Sequence, residues 1–108
     1  MCFTNWRQPK KGHVLNHARV GVYTLTGNAS EVSQQVTDGM LPLFKRQPGF
    51  VDYSIVSANG KMISISTWES LEQANTGTVQ AAKFVEEKLG AQVTLDTNYI
   101  GDVVVSSR

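Results

Sequence analysis

The chain has 108 residues, which suits one domain with a single core and is too short for two. Its hydrophobic content of 41% and charged content of 18% are ordinary for a globular protein and argue against disorder, collagen and coiled coil. A formal net charge of +1 gives no electrostatic case for a nucleic-acid partner, and no apolar run is long enough to cross a membrane.

Four of the ten basic residues, Arg7, Lys10, Lys11 and Arg19, precede the first acidic one, Glu31. The opening stretch also holds Phe3, Trp6, Pro9 and Gly12 without strand or helix periodicity, so residues 1–17 are expected to form a basic arm ahead of a domain at 18–108. No apolar core of a secretory signal follows the early charges, and the single cysteine, Cys2, has no partner for an internal disulfide. The expectation is a soluble cytoplasmic protein. His13 and His17 are four apart, but Pro9 and Gly12 argue against a helix there and no carboxylate is close, so no metal site is expected.

From Arg19 to Thr26 the composition predicts a strand, with Val20, Val22 and Thr24 on one face and Gly21, Tyr23 and Leu25 on the other. Asn28 with Glu31 three residues on predicts a helix N-cap, and Val32, Val36, Met40 and Leu43 or Phe44 form one apolar stripe behind it. Pro42 has no N–H for the carbonyl of Asp38, so this helix is expected to kink or change pitch in its last turns. Pro48-Gly49 is a turn. Phe50–Ser57 and Lys61–Trp68 then flank Asn59-Gly60, a pair that accepts the positive φ angles of a type I′ hairpin. Alternation places Val51, Tyr53 and Ile55 on one face of the hairpin's first strand and Phe50, Asp52, Ser54 and Val56 on the other.

Ser70 with Gln73 is a second capping pair, opening a helix to about Leu89. Leu71, Ala74, Thr78, Ala82, Val85 and Leu89 lie along one side, with Gly90 as a C-cap; Gly77 weakens it by roughly 1 kcal/mol against Ala. Val93 to Val105 is the last strand region, with a bulge or bend expected at Gly101.

The order β-α-β-β-α-β predicts an α+β, ferredoxin-like fold: a four-stranded antiparallel sheet with both helices on one face. The other face stays bare. The hairpin strands carry apolar residues on both sides, including Ile63 and Ile65, so a homodimer packed sheet to sheet is expected, closing a dimeric α/β barrel.

Two segments carry a resemblance to a known family. Gln47-Pro48-Gly49-Phe50-Val51-Asp52-Tyr53 leads into the hairpin, and Ile63-Ser64-Ile65-Ser66-Thr67-Trp68-Glu69-Ser70 closes it. Together they resemble the antibiotic biosynthesis monooxygenase domain family, over about positions 18 to 105. The resemblance implies a pocket between sheet and helices and a cofactor-independent oxygenation of a small aromatic or enolic metabolite, with no cofactor and no metal. It implies Trp68, Lys88 and Ser64 as catalytic residues, and Tyr23, Tyr53, Met62, Ser66 and Ala74 as substrate-binding ones. Trp68 matches the family's pocket tryptophan. Ser64 stands where those oxygenases place an asparagine, Ala74 where they place a tyrosine, and Lys88 where they place an arginine. Haem-degrading relatives place an asparagine, a tryptophan and an axial histidine where this chain has Gly21, Gly77 and Glu87, so haem chemistry is not expected.

Two further classes compete with the oxygenase. One is a non-catalytic dimeric barrel that binds a small apolar metabolite. The other is an isomerase or tautomerase of a small hydroxy-carbonyl compound, which needs an acid or imidazole in the pocket, from Asp52 or a folded-back His17. Trp68, at a strand-to-helix corner, also suits a core anchor, and Tyr23 or Tyr53 suits either a pocket hydroxyl or a buried one satisfied by backbone. There is no Gly-rich phosphate loop, no nucleophile motif and no dinucleotide fingerprint.

Overall fold

Local signals at the ends of each element set the fold of residues 15–107, the part described by the computed structural model. Strand β1 (His17–Leu25) leads to a helical stretch with three parts, α1 (Ala29–Gln35), a π-helical turn (Val36–Met40) and α2 (Leu41–Lys45). The hairpin β2 (Phe50–Ala58) and β3 (Lys61–Trp68) follows, then α3 (Leu71–Phe84), a second π-helical turn (Val85–Leu89) and β4 (Val93–Asp102). The sheet order is β2-β3-β1-β4, every neighbouring pair antiparallel, as the ferredoxin-like order requires.

Both predicted caps form. The Asn28 side chain accepts the Glu31 N–H at 3.0 Å and the Ser70 hydroxyl accepts that of Gln73 at 3.2 Å, each satisfying a helix-end donor. The hairpin turns on Asn59 and Gly60 with φ of 52° and 74°, the left-handed pair expected of type I′.

Four expectations change. The strand begins at His17 rather than Arg19, and the Asn16 carbonyl accepts the Val103 N–H at 2.8 Å; residues 1–14 of the expected arm, with Phe3, Trp6 and His13, lie outside the described residues. The pitch change precedes Pro42: the Leu41 N–H reaches back five residues to the Val36 carbonyl. This wider turn places Pro42 in the first turn of α2, where its missing N–H matters least. The last strand is regular at Gly101 and bulged instead at Asp96, which falls between the Val22–Thr97 and Tyr23–Leu95 pairs. A second bulge at Val51, between the Phe50–Trp68 and Asp52–Thr67 pairs, turns Phe50 inward, onto the face shared with Tyr53 rather than the opposite one.

The core lies between the sheet and the helices, with Trp68 and Phe44 almost wholly buried at its centre. Trp68 meets Phe44 and Phe50 edge-on at ring distances of 5.3 and 5.5 Å, and the two phenyl rings stand tilted to each other at 6.4 Å. Gly77 has a packing role beside its cost to the helix. A Cβ on it would stand 2.4 Å from the Trp68 indole, so the bare backbone of α3 is the seat of that ring. Among the described residues no helix covers the opposite sheet face. Val20 pairs with Ile65 and Tyr99, and Val22 with Ile63 and Thr97, forming two cross-strand rows; Val56 and Tyr99 are 48% and 62% exposed.

Candidate functional site

Strand alternation decides which side chains face the helices. On β1 these are Arg19, Gly21 and Tyr23; on β3, Met62, Ser64 and Ser66; on β2, Tyr53 and Ile55. Register sets Arg19 opposite Ser66, Gly21 opposite Ser64 and Tyr23 opposite Met62. Above them lie the two π-helical turns, which supply Val36, Met40, Val85 and Leu89. Tyr23, Tyr53, Met62 and Ser64 form the floor of the cavity left between, whose volume counted out to its mouth is about 330 Å³. Only about 30 Å³ of that is free space inside, room for about one water, so a ring-sized ligand has to part the side chains around it. A groove outside β2 shares Val36, Tyr53 and Ile55 with the cavity, so those three side chains stand between it and solvent on that side.

The polar inventory of the cavity is short. Ser64 donates to the Tyr53 hydroxyl at 3.0 Å, which leaves the Tyr53 proton for an acceptor in the cavity. Burial pushes the Tyr53 phenol up to about 12, against a smaller lowering by the Ser64 bond, so near neutral pH it is a donor and never a base. The other hydroxyl on the floor, Tyr23, accepts from Arg19 Nη2 at 3.0 Å, and the guanidinium carbon stands 5.7 Å from the Tyr23 ring centre.

Arg19 is the residue that sequence reasoning missed. Counted there with the basic arm, it is 3% exposed and points into the molecule. Its guanidinium lies along its own strand over Gly21, where a Cβ would stand 2.7 Å from Cζ. The signal was the two-residue alternation that puts Arg19, Gly21 and Tyr23 on one face, with a glycine where the long side chain must cross.

Of the residues implied by the resemblance, Ser64, Tyr23, Tyr53 and Met62 come together around the cavity. Ser66 is buried and accepts the Trp68 indole N–H at 2.9 Å. Trp68, at 1% exposure, and Ala74, at 0%, are core residues that do not line the cavity. Lys88 is exposed on the second π-helical turn and lines no cavity described here. Asp52 is exposed as well, and His17 Nε2 meets Asp102 at 2.9 Å at the end of the sheet; neither lines the cavity. No cluster of three or more metal-ligating side chains occurs among the described residues, and no described helix is long and apolar enough to cross a membrane.

No protein-family model matches the chain, and no curated protein does. Solved structures do. The chain is similar to SnoaB, a cofactor-independent oxygenase from Streptomyces nogalater, with a TM-score of 0.70 at 17% identity over 87% of this chain and 98% of that one. It is similar also to the ActVA-Orf6 monooxygenase of Streptomyces coelicolor, solved with nanaomycin D, with a TM-score of 0.61 at 16% identity over 87% and 90% of the two chains. A Chloroflexus aurantiacus protein named after the antibiotic biosynthesis monooxygenases gives a TM-score of 0.65 at 13% identity over 86% and 97%.

Proposed function

We propose that this chain, which has the fold of the antibiotic biosynthesis monooxygenase domain, acts as a cofactor-independent monooxygenase on a small aromatic or enolic molecule held in the cavity between sheet and helices. One observation carries this reading. The cavity is walled by aliphatic and thioether side chains and floored by two phenols, one kept protonated by burial and the other held by a buried guanidinium. Such a site suits an organic anion in a dry pocket, where fixed donors act more strongly than in water.

The chemistry asks little else of the protein. A deprotonated phenol or enol passes an electron to oxygen, the two recombine as a carbon-bound hydroperoxide, and loss of water leaves a carbonyl. A ring-flanked CH₂ and O₂ thus become C=O and H₂O, with the substrate as the only reductant. Tyr53, backed by Ser64, donates to the substrate oxygen as charge builds there. Among the described residues no carboxylate or imidazole lines the cavity, so the substrate is one whose own conjugation makes it acidic near neutral pH. That same lack disfavours an isomerase, which needs a proton shuttle at the reacting carbon.

Two copies complete the molecule in this reading. A second chain covers the bare sheet face at Val20, Val22, Ile63 and Ile65, as expected of a dimeric barrel.

Oxygen uptake tests the proposal on a panel of anthrones, dihydroxynaphthalenes and cyclic β-diketones. Uptake above the buffer rate is expected with at least one class, one atom of ¹⁸O₂ entering the product. Tyr53→Phe is expected to lower kcat by about tenfold to a hundredfold. Uptake at the buffer rate across the panel overturns it, and a metabolite retained in native mass spectrometry then marks a binding protein instead.

A further inference from the structure

A second cleft lies between α3 with its π-helical turn and the β1–β4 side of the sheet, with a volume of about 270 Å³. Arg19 and Asn98 supply its polar wall, and Ala82, Val85 and Leu95 an apolar one. From these residues we infer that the cleft binds the carboxylate of a small apolar acid, with Arg19 as its counter-ion.

The argument starts from the electrostatic state of Arg19. At 3% exposure its guanidinium is almost fully out of water, yet among the described residues no carboxylate stands within ion-pair distance of it. Its acceptors are neutral. Nε donates to Asn98 Oδ1 and Nη2 to the Tyr23 hydroxyl. A buried cation with only neutral acceptors is costly, because neutral dipoles replace hydration but not counter-charge. An entering anion supplies that charge.

The donors left over specify the ligand. Within the described residues two of the five guanidinium N–H groups are engaged, so three remain in the planar fork that matches a carboxylate. Asn98 gives its oxygen to Nε, which leaves its amide NH₂ as a further donor. The Thr78 hydroxyl, also on the wall, is turned away, donating to the Ala74 carbonyl at 2.9 Å. One fixed positive charge suits one negative charge. Glu86, exposed at the same cleft, repels a dianion such as phosphate more than a carboxylate. The aliphatic wall takes an apolar body behind the charged group.

Tyr23 and Val85 belong to the walls of both this cleft and the inner cavity. An aromatic acid can therefore rest its carboxylate on Arg19 and direct its ring past Tyr23. Here the inference rests on the oxygenase reading and narrows its substrate to carboxylate-bearing phenols or enols; the anion site itself does not require turnover.

Binding of 2-naphthoate and its neutral isostere 2-naphthamide to the full chain, measured by calorimetry under argon, tests it. Naphthoate is expected to bind about tenfold tighter than the amide, as a charge-assisted pair implies. Arg19→Gln is expected to abolish that preference while leaving the amide's affinity unchanged. Gly21→Ala keeps the charge but displaces the guanidinium, and is expected to weaken naphthoate selectively. Glu86→Gln, at an exposed position that tolerates change, is expected to tighten naphthoate several-fold without affecting the amide, and it stands even where an interior variant fails to fold. Equal affinity for acid and amide in the unaltered chain overturns the site, as does a preference that survives Arg19→Gln. Oxygen uptake is read separately, so a silent oxygenase with selective naphthoate binding leaves the anion site standing, and the reverse result removes only the site.

Discussion

Tyr53 shows how much one residue's surroundings decide. The same phenol on an exposed strand ionises near pH 10; here, enclosed by the helices and touched by Ser64, it holds its proton to about pH 12. Absorbance titration is expected to show a late tyrosine transition near pH 12 that is absent from Tyr53→Phe. The linkage has a definite sign. The folded state keeps a proton that the unfolded chain releases, so the stabilisation is complete below about pH 10 and falls away between there and about pH 12, by on the order of 2 kcal/mol. Denaturant unfolding across that range checks it, with Tyr53→Phe giving the flatter profile. The family resemblance places Ser64 in the pocket, and Tyr53 there only as one of two readings, because alternation leaves both faces of the hairpin apolar. That Arg19 is buried was not legible, because charge is ordinarily the mark of an outward position, and only the glycine two residues on hinted otherwise.

At the scale of elements, the legible parts were those fixed by local chemistry. Asn59-Gly60 specified the hairpin, and Asn28 and Ser70 the helix starts, because each satisfies its neighbours' backbone without help from the rest of the chain. Of the two π-helical turns, Pro42 announced a pitch change in the first helical stretch but not its place, and nothing announced the second: an apolar stripe reads alike whether the helix gains one residue per turn or not. Their consequence is local, since both widened turns face the cavity, where tighter helices would leave less room. The bulge at Asp96 escaped notice for a tertiary reason. Its carboxylate takes hydrogen bonds from Lys61 at 2.7 Å and Thr24 at 2.6 Å, tying β4 to β1 and β3, whereas Gly101 needs no such irregularity. Those bonds, the Lys61 one foremost, hold the Asp96 carboxyl below its ordinary range. Its contribution is thus present above about pH 4 and lost as pH falls through the lowered value. Asp96→Asn is expected to flatten the acid side of the stability profile below about pH 4, by urea unfolding at each pH.

For the molecule as a whole, the asymmetry of the sheet matters most. One face carries two helices and the core, while the other presents the rows through Val20–Ile65 and Val22–Ile63, with Tyr99 and Val56 largely in water. Soluble monomers rarely leave such a contiguous patch open. Sedimentation or light scattering at micromolar concentration is expected to give a dimer, and Ile65→Lys, with an ammonium in the middle of that patch, a folded monomer with unchanged helical signal. A stable monomer before substitution contradicts the barrel. The bare face was legible from sequence because both hairpin strands are apolar on both sides; what covers it is not encoded in any one strand.

The contact between Trp68 and Gly77 bears on how this chain can evolve. The two positions are nine residues apart, on different elements, and the indole occupies the space a side chain at 77 would need. Neither can drift by itself: any larger residue at 77 has to wait for a smaller one at 68, and the smaller one leaves a void until the larger arrives. In a lineage of such chains, the two sites should be inherited as a pair, with intermediates seldom sampled.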